Sequence, residues 1–269
     1  MRTQPLLILL LTACSSPSPA QQPAVPDAPQ AAIAALEAPG LSLNEDTWHG
    51  VDGSSGPVWK VRVDAASLTV LPSEQVQSLT GFQQQATGPA WVVVNGGFYD
   101  QAGAAMSLVV HDGQEHHALG SGSGIITGPS PVQIVHKDAY VSGPTEALQS
   151  IDRVVDGANN LVNTSPGARR AARTLLAVDG ETVWMAVFAD ERSVIRTPDG
   201  ARLVVTGSIG PTLHEAAEYV RTQLAAKAAL NLDGAVSSQF SVHTQAGDYT
   251  VQGERDIINA VVLTPTLPE

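Results

Sequence analysis

Cysteine is almost missing: the 269 residues contain one, Cys14. A lone cysteine closes no disulfide within the chain, so packing must hold the fold together. Aromatic residues make up only 4%, which argues against a surface that stacks on glycan rings. Basic residues are also few. Fourteen Lys and Arg stand against 26 Asp and Glu, giving a formal charge of -12 and a pI near 4.9. A nucleic-acid binder needs a basic face, so that class is disfavoured. An anionic ligand would have to be met by a few local arginines or backbone N–H groups, because the overall field opposes it. No apolar run beyond the N-terminus is long enough to span a membrane. Heptads and solenoid-length repeats are absent. What is present in quantity is apolar: 43% hydrophobic residues can build a core.

The start of the chain has its own character. "MRTQPLLILLLTAC" carries one positive charge at Arg2, an apolar stretch from Leu6 to Leu11, and then small residues. "LTAC" resembles the bacterial lipobox, which implies cleavage before Cys14 and a lipid on its sulfur. Ser15 follows rather than aspartate, which implies an outer-membrane position facing the periplasm. "SSPSPAQQPAVPDAPQ" has almost nothing to bury and reads as an extended tether. The expected organisation is a signal peptide over 1–13, lipidated cysteine and tether over 14–45 with a short helix in "AAIAALEA", and one folded domain over 46–269.

Within that domain the pattern is mostly β. "VWKVRVDAASLTVL" alternates as a half-buried strand pair does, and "AWVVVNGGFYD" opens with the continuous apolar run of a central strand. Asp-Gly pairs in "SLVVHDGQEHHAL", "RVVDGANNLV" and "RTLLAVDGETVWMAVF" suit tight hairpin turns. "PTLHEAAEYVRTQLAAKAAL" predicts a helix near 212–228. Leu213, Ala216, Ala217, Val220, Leu224 and Ala228 lie on one face, and Thr212 and Glu215 form a capping box. "RDIINAVVLTP" closes the chain as a strand. The expected fold is a single α+β domain with mixed or antiparallel sheet and one packed helix.

Chemistry concentrates in three stretches. In "AALNLDG", alternation puts Asn231 and Asp233 on one face and Leu230 and Leu232 on the other. This is either a carboxylate site or one more Asp-Gly hairpin. "VNGG" ends a buried strand at Asn95. Gly96 and Gly97 there either make an Asn-Gly turn or present N–H groups to a ligand. "GARRAART" gathers Arg169, Arg170 and Arg173; the first two suit a solvated loop, whereas Arg173 opens a strand beside Thr174. "GSGSG" over 120–124 reads as a flexible connection before an anion nest. The seven histidines show no metal-binding spacing, and no metal or cofactor is expected.

"VNGGFYD", "ARTLLAVDG", "PTLHEAAEYV", "ALNLDGAVSSQF" and "RDIINAVVL" resemble, in order and spacing, the motifs of the phosphodiester glycosidase family over about residues 58–265. That resemblance implies a hydrolase that breaks the bond between a sugar and a phosphate. It implies Asp233 as the catalytic carboxylate, with Arg173 as phosphate clamp and Asn95 beside them. Gly96, Gly97, Phe98, Thr174, Asn231, Gly234, Ser237 and Ser238 are then substrate-binding. The partners implied are a sugar phosphodiester and, through Cys14, a membrane. One departure stands out: Ala235 occupies the position of the family's second glycine, where a left-handed backbone would strain it. A binding-only lipoprotein for glycans or cell-wall polymers is the alternative.

Overall fold

The computed structural model describes residues 32–34 and 36–266. The signal peptide, Cys14 and most of the tether lie outside the described residues. Residues 32–34 form a helical turn, and the sheet begins at Leu41, inside the stretch assigned to the tether. Leu41 and Leu43 explain this, because both are buried in the main core.

Three antiparallel sheets make the domain. The first has the order β1 (Leu41–His49), β2 (Ser55–Val63), β12 (Thr182–Phe188), β11 (Arg173–Asp179), β15 (Ala228–Asn231), β10 (Asp152–Val155). The second runs β14 (Arg202–Val204), β13 (Val194–Arg196), β17 (Gly247–Gln252), β16 (Phe240–Thr244), β4 (Trp91–Asn95), β18 (Ile257–Pro265), β3 (Ala66–Gln77). The third, smaller sheet is β6 (Gln114–His117), β5 (Val109–His111), β9 (Glu146–Ser150), β7 (Gly124–Gly128), β8 (Gln133–His136).

The first two sheets pack face to face. Trp59, Val61, Leu176, Val187 and Leu230 of one meet Val92, Val94, Phe240, Tyr249, Val251 and Val261 of the other, with Leu232 just past β15 in the same core. Ile126 and Leu148 bring the third sheet into the same core. A short helix α1 (Leu79–Gln83) covers the outside of the second sheet through Leu79 and Phe82. Helix α2 (Leu213–Gln223) covers the outside of the first, burying Leu213, Ala216, Ala217 and Val220. The fold is α+β and a single domain, as expected, with every strand pair antiparallel. Among the described residues no helix is long and apolar enough to cross a membrane.

Two local expectations are corrected. The helix stops at Gln223 rather than running to Ala228. Ala225 turns left-handed at φ 51°, and the N–H groups of Leu224 and Ala226 both close on Val220 O, at 3.3 and 3.2 Å, so the last turn cannot continue as helix. Ala228 then begins β15. The alternating run "VWKVRVDAASLTVL" does form two strands, but β2 and β3 belong to different sheets. Alternation marks a face and does not name a partner. The capping box of α2 is present, with Thr212 Oγ1 accepting the Glu215 N–H at 3.1 Å.

Candidate active site

The Asp233–Gly234 pair is not a hairpin turn. β15 ends at Asn231 in the first sheet and β16 begins at Phe240 in the second, with a 3₁₀ turn over Ala235–Ser237 between them. The loop therefore bridges the seam of the sandwich. Its backbone is tied to both sides: Leu232 N–H donates to Thr174 O at 2.9 Å, Asp233 N–H to Gly96 O at 3.0 Å, and Ala235 N–H to Ala172 O at 2.8 Å. Residues 95–96, 172–174 and 231–238 thus meet at one place.

Asn95 is the knot of this meeting. It is fully buried, and its Oδ1 accepts from Thr174 Oγ1 at 2.9 Å and from the Gln239 N–H at 3.1 Å. Its Nδ2 donates to Asp233 O at 2.7 Å. The amide of Asn95 therefore has its main hydrogen bonds inside the protein, and it positions the Asp233 loop rather than facing a ligand. Thr174 is spent in the same way.

The glycines serve close approach instead of anion binding. Gly96 N–H donates to Asn259 O at 3.0 Å, and Gly97 N–H to Asn259 Oδ1 at 2.7 Å. A Cβ on Gly96 would lie 2.0 Å from Asn259 Oδ1. Gly234 N–H donates to Asp233 Oδ1 at 2.8 Å. None of the three N–H groups is left for a phosphate. Phe98 is half-buried on the loop after β4, its carbonyl held by the Met106 N–H at 3.0 Å. "GSGSG" is no loose connection either, since buried Gln149 pins it through Gly120 and Gly122.

The neighbouring side chains are different, because their polar atoms are buried without partners. Asn231 Oδ1, Ser238 Oγ and Arg173 Nε have none, although Asn231 is 3% exposed and Ser238 1%. Arg173 is half-buried. Its Nη2 donates to Arg169 O at 2.6 Å, and its Nη1 approaches Gly234, where an added Cβ would be 4.0 Å away. Burial lowers the Arg173 pKa, and the charge of Asp152 opposes the effect. Asp152 sits directly opposite Asn231 in the β10–β15 ladder, and burial raises its own pKa. Burial likewise raises the pKa of Asp233, while the Ser237 hydroxyl, the Gly234 N–H and the charge of Arg255 pull it back.

Sequence reasoning missed Asp152 and Arg255. Arg255 stood in a quoted motif, whereas Asp152 carried no local signal. It also misjudged Arg170, expected in a solvated loop but paired with Glu215 at 2.7 Å and Asp52 at 2.9 Å. Glu215 is occupied by that pair and by its cap. Asp100 accepts turn N–H groups at 2.9 and 3.0 Å, and Asp179 pairs with Lys227 at 2.7 Å.

Ala235 takes φ 54°, the left-handed region that costs an L-residue about 1–2 kcal/mol. Among the described residues, His111, Asp112 and Glu146 could offer a cation three atoms within 4.8 Å. Glu146 is already engaged by the N–H groups of Val70 and Asp112 at 2.7 and 3.1 Å. A cavity of about 730 Å³ lies elsewhere, lined by residues including Pro39, Gln85, Thr244 and Pro265, with Glu37 its one charged residue.

Comparison with known proteins bears on the fold and the family. The catalytic domain of zebrafish N-acetylglucosamine-1-phosphodiester alpha-N-acetylglucosaminidase, auto-inhibited by its pro-peptide, shares the fold. Its TM-score is 0.61 at 14% identity, over 86% of this chain and 85% of that one. A hypothetical protein from Synechocystis superposes with TM-score 0.58 at 14% identity, over 84% of this chain. The present chain spans 62% of that protein's length. Comparison with curated protein sequences gives no match. Residues 89–264 match the family described as phosphodiester glycosidase, and the chain belongs to that family.

Proposed function

We propose that this protein hydrolyses sugar-1-phosphodiesters at the Asp233 loop. Family membership supports the reaction class. The observation that carries the location is the cluster of unpartnered buried atoms on Arg173, Asn231 and Ser238. Buried polar groups are nearly always hydrogen-bonded, so three orphans around one loop fit a site whose partners arrive with the ligand.

The reaction breaks the bond between the anomeric carbon and the phosphate oxygen. The bonding electrons leave with the phosphate monoester, and the oxygen of water ends on the sugar. A phosphate is a good leaving group, so the main tasks are to steady positive charge on the sugar and hold the phosphate. Asp233 is the carboxylate at the anomeric centre, acting as nucleophile or as base for water. Arg173 meets the phosphate through its planar guanidinium. Asn231 and Ser238 bind the substrate's polar groups, and Ser237 steadies Asp233. Asn95, Thr174, Gly96, Gly97 and Gly234 shape and fix the loop. The reading includes an outer-membrane anchor through a lipid on Cys14, facing the periplasm. Cys14→Ser should then shift the protein from the membrane to the soluble fraction.

The test uses protein starting at Ala31 with model sugar-1-phosphodiesters. Wild type should release free sugar, and Asp233→Asn with an unchanged circular dichroism spectrum should not. In oxygen-18 water the label should enter the sugar. Equal turnover by Asp233→Asn removes that residue from the mechanism. Binding of the diester without turnover by wild type would instead identify a non-catalytic glycan- or polymer-binding lipoprotein.

A further inference from the structure

The turn between β17 and β18, residues 253–256, is stapled to the Asp233 loop. The N–H groups of Glu254 and Arg255 both donate to Val236 O, at 2.9 and 3.1 Å. Gln239 Nε2 donates to Arg255 O at 2.8 Å, and the Tyr99 hydroxyl to Asp256 O at 3.0 Å. Gly253 permits the approach, since a Cβ there would stand 2.6 Å from Val236 O and 2.9 Å from Ser238 O. Four hydrogen bonds thus fix an exposed turn whose one cation is Arg255. Among the described residues its side chain has no ion pair and no side-chain hydrogen bond. Arg62, Arg170, Arg192 and Arg221 each hold a carboxylate, whereas Arg153, Arg169, Arg173, Arg196 and Arg202 share with Arg255 the lack of an ion pair among the described residues.

We propose that Arg255 is a second phosphate-binding residue, reaching the phosphodiester from the β17–β18 turn while Arg173 reaches it from β11. The inference rests on the function proposed above and deepens it. A phosphodiester carries one negative charge over two non-bridging oxygens, and a second charge develops as the sugar–oxygen bond breaks. A second guanidinium beside that of Arg173 would match that change and strengthen toward the transition state. In a chain of charge -12, an anion needs such local cations. In keeping with this, the charge of Arg255 acts to lower the Asp233 pKa, after the larger effects of burial, Ser237 and Gly234.

The test compares wild type, Arg255→Gln and Arg255→Lys on a sugar-1-phosphodiester and on a neutral aryl glycoside of the same sugar. Loss of a charge-assisted contact should lower kcat/KM for the diester about tenfold to a hundredfold. The aryl glycoside should change by no more than about twofold, lysine should restore part of the loss, and the melting temperature should hold. An equal fall on both substrates, or on neither, overturns the proposal. Calorimetric binding of inorganic phosphate separates this from the function itself. If wild type turns over no diester, the hydrolase reading fails. Phosphate binding that Arg255→Gln abolishes still supports the cation site, and binding that is equal in both sinks it.

Discussion

Asn95 and Asn231 both end buried strands, and both stand in motifs where an amide precedes a glycine turn. Asn95 sits inside the seam with its oxygen and nitrogen each bonded to the protein. Asn231, on the neighbouring sheet, hides an oxygen with no partner at all. The same residue type at the same kind of position therefore does two jobs. One asparagine builds the loop, and the other is the one we propose to meet the ligand. The comparison teaches that motif membership marks a site without saying which of its residues touch the ligand. Hydrogen-bond accounting supplies that.

The widest separation should appear in stability. Asn95→Ala strands the Thr174 hydroxyl and the Gln239 N–H, and should destabilise by about 3 kcal/mol or more in denaturant titration. Asn231→Ala should change stability by about 1 kcal/mol or less, because it removes an already unpartnered oxygen. Its effect belongs to substrate, with KM for the diester raised about tenfold. If the two variants unfold alike, the contrast between builder and binder is lost. Ala235→Gly relieves a left-handed alanine and should stabilise by about 1 kcal/mol, read from the denaturation midpoint.

The smallest effect is a pH dependence. Burial raises the folded-state pKa of Asp233, so the protonated form is favoured on folding. This contribution is fully present below the unfolded pKa and is lost as pH rises through the folded one. Asp233→Asn should therefore gain stability over wild type from mildly acidic to neutral pH, and the gain should fade in strong acid. A pH-independent difference between their unfolding curves would place the Asp233 carboxyl in water rather than in the loop.

Much of this was legible from the chain. Continuous apolar residues marked β4, the Thr212–Glu215 spacing marked the start of α2, and motif order brought Asn95, Arg173 and Asp233 to one seam. The remainder depended on distance in space. Nothing in the alternation of Trp59, Val61 and Val63 says that β2 and β3 enter different sheets. Alanines at 225, 226 and 228 favour helix locally, and only the turn at Ala225 ends the helix so that Ala228 can open β15. Gly96 and Gly97 looked like open donors because Asn259, which uses both, lies more than 160 residues away. Asp152 stands out only once the fold sets it opposite Asn231, and the role proposed for Arg255 rests on a turn that only the fold brings to the Asp233 loop.

The most direct measurement is a crystal structure of Asp233→Asn with a sugar-1-phosphodiester bound. The account predicts that Asn231 Oδ1, Ser238 Oγ and the free Arg173 donors take up ligand atoms while the bonds of Asn95 stay as they are. A diester seated in the cavity beside Pro39, Gln85 and Pro265, with those three atoms still bare, would contradict it.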